Sequence, residues 1–390
     1  MQKKRKICVV TGTRAEYGIL TSLLSELRKS DQFQLQIIAT GSHLEKTLGY
    51  TITEIENDGY VVDYRVPIDL KDFSEKSILA SISKTVSGFG EAFTRLSPDL
   101  IFFVGDRYEI LGVAQAALIL KIPMAHFGGG DVTHGAYDDA IRHSLTKMAH
   151  LHFVTSEVSK KRVLQLGEDP ARVFNHGHLV VDDFLKPSKF ATKLEFFNSI
   201  GFSPCELNLL VTYHPETLSQ TKPEQQISEL LVALRRFASS NGIIITMPGA
   251  EPGTAEIIKE LNKFADEFSN TVKVYQSLGY QRYMDALRYC DLVIGNSSSG
   301  IFEAAYFKKS TVNIGDRQKG RMHPHSVYSC RSNADEIFQT INKALSLKDS
   351  INYETLFGNG STAQNIINTL SKIDDFSFLL KKEFVDLQIF

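Results

Sequence analysis

The stretch Gly295-Asn296-Ser297-Ser298-Ser299-Gly300-Ile301-Phe302-Glu303 sets three hydroxyls between two glycines, behind an apolar run at 291–294 and ahead of a helical pattern. Backbone N–H groups at such a strand-to-helix turn converge on one spot, and small side chains let a phosphate come close. Glu303, in the first helical turn, has the reach to accept from the vicinal hydroxyls of a ribose. Capping a helix needs one hydroxyl rather than three. The cluster is therefore read as an anion site built from Asn296, Ser297, Ser298, Ser299 and Gly300.

Other polar clusters also fall at the ends of apolar runs. Thr11-Gly12-Thr13-Arg14-Ala15-Glu16-Tyr17-Gly18 puts Arg14 at a helix start, where the dipole repels a cation unless an anion is shared. Gly105-Asp106-Arg107-Tyr108-Glu109 fits a capping box, Asp106 with Glu109 three residues on. It fits equally a carboxylate on a cleft floor with Arg107 beside it. His126-Phe127-Gly128-Gly129-Gly130-Asp131 lets backbone approach a ligand closely. Asp138 and Arg142, four apart on one helical face, form an intrahelical ion pair or, if that face borders a cleft, a proton carrier with its cation. Pro215 ends the apolar run before it and aims His214 off the sheet edge towards the linker. The loop Asn313-Ile314-Gly315-Asp316-Arg317-Gln318-Lys319-Gly320-Arg321 is basic enough to hold a diphosphate. Neither G-x-G-x-x-G nor a P-loop pattern occurs, which removes support for dinucleotide and ATP sites.

Elements that would position these residues alternate through the chain. Strands are expected at 6–10, 35–40, 61–66, 99–104, 123–127, 151–155 and 173–175. Helices are expected between them at 17–29, from 43, and at 74–96, 108–120, 138–149 and 157–166. The second half repeats the theme, with strands at 207–213, 243–246, 272–275, 291–294 and 311–314. Its helices are expected at 225–237, 254–268, 280–289 and 334–345, with apolar-periodic segments at 362–373 and 376–387. Strands apolar throughout, with helices between them, specify parallel sheets covered on both faces. Residues 185–206, broken by Pro187, Gly201 and Pro204, are read as the linker. The fold class is α/β: two facing Rossmann-like, doubly wound domains with a ligand cleft between their carboxyl ends.

A chain of 390 residues accommodates two such domains. A net charge of -2 with 23% charged residues gives no field for nucleic acid or an anionic membrane surface. The basic start is followed by an apolar run too short for a signal segment, and no run of about 18 apolar residues appears. Cys8, Cys205, Cys290 and Cys330 lie far apart and read as free thiols in a reducing cytoplasm. No H-E-x-x-H spacing occurs, so no metal is expected.

Together these motifs resemble the hydrolysing UDP-N-acetylglucosamine 2-epimerases and their relatives acting on UDP-N,N'-diacetylbacillosamine. The matching pieces are the segments 11–18, 105–109, 138–143, 213–218, 295–300 and 313–321, within a resemblance covering about residues 6–345. It implies a GT-B arrangement: residues 1–186 on the sugar side, 207–361 binding UDP, and 362–390 packing back on the first domain. Ser297 and Ser298 would hold the diphosphate, with Arg14, His214 and Arg317 as donors around it, and Glu303 the ribose. Gln276-Ser277-Leu278 would cradle uracil, Tyr17 and Arg107 would border the substrate, and Asp106, Asp138, Arg142 and His214 would serve the chemistry. That chemistry is removal of the sugar C2 proton, anti elimination of UDP to 2-acetamidoglucal, and hydration to the free 2-epimer. Relatives commonly carry Glu or His where this chain has Gly128, and Glu where it has Asp131. This makes Asp131 the expected substitute proton carrier. The segment Pro248-Gly249-Ala250-Glu251-Pro252-Gly253 lacks an asparagine seen in relatives, so uridine contacts or sugar choice are expected to differ. The resemblance implies a nucleotide-sugar substrate, no cofactor, and a homodimer or homotetramer.

Overall fold

The apolar runs assemble into two parallel sheets in the computed structural model, which describes residues 4–68, 70, 74–185, 190–249 and 251–386. The first sheet contains β1 (Arg5–Thr11), β2 (Phe33–Thr40), β3 (Tyr64–Val66), β4 (Leu100–Val104), β5 (Met124–Phe127), β6 (Leu151–Val154) and β7 (Val173–Asn175). Its order is β3-β2-β1-β4-β5-β6-β7, and every pairing is parallel. The second contains β8 (Asn208–Thr212), β9 (Gly242–Thr246), β10 (Val272–Tyr275), β11 (Leu292–Gly295), β12 (Ser310–Ile314) and β13 (Val327–Cys330), ordered β10-β9-β8-β11-β12-β13 and again parallel. The strand order reverses between β1 and β4 and between β8 and β11, the switch points where doubly wound sheets open a crevice.

Several segments differ from expectation. The helix expected from residue 43 is two 3-10 turns, Gly41–Leu44 and Lys46–Leu48, before the short helix Ile52–Asn57. The buried His43 ring explains the break: it bridges Thr11 Oγ1 at 3.0 Å and Thr51 Oγ1 at 2.8 Å, which holds this segment against β1. The linker region contains the helix Lys193–Ser199, opened by a Thr192/Glu195 capping box. β13 is a strand that pattern reading missed. The final segment forms only the 3-10 turn Phe376–Leu380, and residues 381–386 after it have no regular structure. Residues 186–189, with Pro187, lie outside the described residues, as do Ala250, residues 1–3 and the end of the last segment from 387.

The chain crosses between the lobes and then returns. From the helix Thr362–Ser371 and the turn after it, Ala363, Ile366, Leu370, Phe376 and Leu379 enter the first lobe's core beside Leu20, Leu24 and Phe33. Farther on, Lys382 Nζ lies 2.8 Å from the buried carboxylate of Glu168. That carboxylate also accepts from Lys147 Nζ at 2.6 Å and meets His152 Nε2 at 2.8 Å.

The lobes also meet across the cleft. A Cβ on Gly18 would lie 2.4 Å from the Tyr280 ring, and one on Gly135 would lie 2.7 Å from the Asp316 backbone. His134 N–H donates to Lys319 O at 3.2 Å, and Tyr137 N–H to Thr217 Oγ1 at 3.2 Å.

Candidate functional site

The serine turn is fixed from several sides. Gly295 has φ +131°, and a Cβ there would stand 1.9 Å from Thr212 O, so only glycine lets β11 end this close to β8. Asn296, fully buried, accepts from His214 N–H at 2.7 Å and donates to His214 O at 2.8 Å. Its own carbonyl accepts from Gln318 Nε2 at 2.8 Å and Arg317 Nη1 at 3.3 Å. Ser297 and Ser298 remain half-buried rather than sealed. The helix that follows is only Ser299–Phe302, continued by the 3-10 turn Ala304–Phe307, so less dipole backs the turn than a full helix would supply. Ser299 is buried, accepts from Tyr283 OH at 2.9 Å and donates to Glu303. Burial pushes the Glu303 carboxyl up to about 7, with the Ser299 bond opposing.

The loop of Arg317 is anchored by Glu216, whose carboxylate accepts from Asp316 N–H at 3.0 Å. Thus the segment 213–217 organises as much as it lines: Glu216 fixes the basic loop, and Thr217 holds Tyr137 of the opposite lobe. His214 turns towards the cleft, not the linker. Its Nδ1 accepts from Gly249 N–H at 3.4 Å and lies 3.7 Å from Glu251. Burial, then Arg317, hold this imidazole down to about 4, so it is neutral near pH 7 with its proton on Nε2. Glu251, named in the sequence only within the segment 248–253 and given no role there, joins the site 3.5 Å from Arg317 Nη2 with its Oε2 buried and unpartnered. Its position just past β9 was the available signal.

The first lobe supplies the carboxylates. Arg142 turns inward and pairs not with Asp138 but with Asp106, its Nε 2.9 Å from Oδ2, and with Asp139 at 3.2 Å. It also donates to Asp131 O at 2.9 Å and Thr133 Oγ1 at 3.0 Å, tying together the loops after β4 and β5. Burial pushes Asp106 up, but Arg142, Arg321 and Arg317 hold it below the ordinary carboxylate value. The capping-box reading of Asp106 fails, because Arg107 occupies the N-cap and pairs with Glu109 at 2.7 Å.

Asp131 is buried, accepts from Ser159 Oγ at 2.6 Å and lies 3.5 Å from Arg321 Nε. Asp138 stands differently: its Oδ2 is buried without a partner. Burial, then Asp106 and Glu251, push this carboxyl up to about 7 against Arg317. A carboxyl with a free oxygen that titrates near neutrality, facing cations of the other lobe, is suited to proton abstraction.

At the far side of the cleft, Gly12 and Thr13 N–H groups donate to Glu16 Oε2 at 2.6 and 3.2 Å, so this loop spends its amides on its own side chain. Arg14 reaches across the lobes to Ser277 Oγ, and Gln276 to Thr47 O. Leu278 is buried, its carbonyl held by Arg282 Nε at 2.7 Å. Tyr17 lies apart from these groups, with its ring in the core and its hydroxyl donating to Asp58 at 2.6 Å.

Two parallel-sheet lobes with this strand order and a polar cleft between them define a GT-B-like fold. A solved structure of UDP-GlcNAc 2-epimerase from Neisseria meningitidis, bound to UDP-GlcNAc, superposes with a TM-score of 0.79 at 17% identity, covering 94% of this chain and all of that one. The family model for UDP-N-acetylglucosamine 2-epimerase matches residues 25–371. The chain belongs to the UDP-N-acetylglucosamine 2-epimerase family. It is 38% identical, over 98% of its length and 100% of the relative's, to a hydrolysing GDP/UDP-N,N'-diacetylbacillosamine 2-epimerase of Campylobacter jejuni. It is 33% identical, over 97% of its length and 98% of the relative's, to a hydrolysing UDP-N,N'-diacetylbacillosamine 2-epimerase of Legionella pneumophila. No helix among the described residues is long and apolar enough to cross a membrane.

Proposed function

We propose that this chain is a hydrolysing 2-epimerase of a UDP-linked 2-acetamido sugar, converting UDP-GlcNAc and water to ManNAc and UDP. The observation that carries this reading is Asp138, with its unpartnered oxygen and carboxyl near pKa 7, opposite the Arg317 loop. Asp138 takes the C2 proton. The C–H electron pair becomes the C1–C2 double bond, and UDP departs with the C1–O pair. Ser297, Ser298, Arg317 and neutral His214 receive the charge growing on the diphosphate, since donors set beforehand lower the barrier most. Water then adds its oxygen to C1. The proton returned to C2 must arrive on the opposite face for the centre to invert, and Asp131 is placed to orient that half of the reaction. Glu303 takes the ribose hydroxyls and the segment 276–278 the uracil.

A second reading keeps this chemistry and adds an acetamido group at C4 of the sugar, favoured by the names of the Campylobacter and Legionella relatives. One incubation with UDP-GlcNAc in D2O, followed by NMR, tests the chemistry. Free ManNAc deuterated at C2 supports it, whereas UDP-ManNAc or no turnover of either sugar overturns it. Comparing kcat/KM for UDP-GlcNAc and UDP-N,N'-diacetylbacillosamine separates the two sugars.

A further inference from the structure

His178 sits on the same floor, and no step above uses it. It follows β7 through Gly177, whose φ of +85° and approach to Phe357 O, 2.7 Å from an added Cβ, fix the backbone there. His178 N–H donates to Phe357 O at 2.6 Å. The ring meets Phe127 edge-on at 5.5 Å and lies 4.7 Å from the Phe302 ring. Phe302 ends the helix of the serine turn, and the Arg321 guanidinium sits 4.9 Å over its ring. His178 therefore stands where the end of β5, the serine turn and the Arg321–Asp131 pair converge.

The residue is 5% exposed, and its Nδ1 accepts from Val180 N–H at 3.3 Å. That bond places the ring proton on Nε2, which no group among the described residues accepts and which is not one of the fully enclosed polar atoms, so this edge of the ring keeps an opening. A donor on an otherwise buried ring that keeps one open edge and has no partner in the protein is free to meet a ligand group. Burial holds the ring down to about 4, keeping it neutral in the working range.

We propose that His178 is a positioning residue whose Nε2–H donates to an oxygen of the bound sugar, fixing the ring so that C2 faces Asp138. A neutral N–H suits a neutral acceptor, a hydroxyl or acetamido carbonyl, while the diphosphate is served by the Arg317 loop. The proposal rests on the reading that the cleft takes a UDP-linked 2-acetamido sugar.

The test compares His178→Leu, which removes the donor, with His178→Gln, whose amide reaches the same point. His178→Leu is expected to raise KM for UDP-GlcNAc about tenfold, leave UDP affinity by calorimetry unchanged, and be largely rescued in His178→Gln. Should the leucine variant fail to fold, His178→Asn, whose shorter amide cannot reach, takes its place. Unchanged KM in the donor-free variant, an equal loss of UDP affinity, or no rescue by glutamine overturns the proposal. Wild-type protein that binds UDP but turns over neither sugar overturns the functional reading instead.

Discussion

As the proposed base, Asp138 would have to be deprotonated to take a proton, and burial beside Asp106 and Glu251 pushes its carboxyl up to about 7. Turnover should therefore be low in acid and rise with pH through about 7, a limb visible in a kcat/KM profile and missing in Asp138→Asn. That variant should lose ~10²–10⁴ in kcat while calorimetry still detects UDP; unchanged turnover would remove Asp138 from the chemistry. Asp131→Asn should also cut turnover, through the returning half of the reaction. Glu168 works in the opposite sense. Burial opposes its charge, but His152, Lys147 and Lys382 draw its carboxyl down from 4.5 to about 2. Its stabilisation is complete above pH 4.5 and is lost as pH falls towards 2. Glu168→Gln should cost ~3 kcal/mol near pH 7, and the gap from wild type in denaturant melts should close in acid. Helical spacing showed that Asp138 and Arg142 share a face. It could not show that Asp106, 36 positions away, would claim the arginine and leave Asp138 open.

At the scale of elements, alternation was the legible part, because strands buried on both faces are apolar throughout and the helices between them are amphipathic. What stayed hidden was decided by tertiary partners. The segment after residue 43 carries no turn signal strong enough to announce 3-10 geometry, which follows from the His43 bridge to Thr11 and Thr51. β13, with one buried residue among four, has little pattern to read. Serine and glycine types mark the turn after β11 as a candidate anion site, but they do not show its rigidity, which comes from Asn296 clamped to the backbone of His214. Gly295→Ala should destabilise the second lobe by ~1–3 kcal/mol and abolish UDP binding, read by thermal melts and calorimetry. Retained affinity would show that the turn tolerates displacement.

For the molecule as a whole, the two seams at Gly18–Tyr280 and Gly135–Asp316 allow no side chain at the glycine, so closure and glycine are coupled. Gly135→Val should keep circular dichroism intact, enlarge the radius of gyration in small-angle scattering, and lower kcat/KM by about tenfold or more, since donors and base must meet across the cleft. A compact, fully active variant would show that catalysis does not need this seam.

The return of the chain has a consequence for how the protein is made. Leu20, Leu24 and Phe33 emerge from the ribosome long before their core neighbours Ile366, Leu370 and Phe376. The leading lobe must wait, its apolar surface incomplete, until the trailing lobe and the returning segment have been translated, although domains ordinarily mature in order of synthesis. Nascent chains stalled near residue 350 should keep the leading half open to protease, and a chaperone that shields that half during translation should raise the yield.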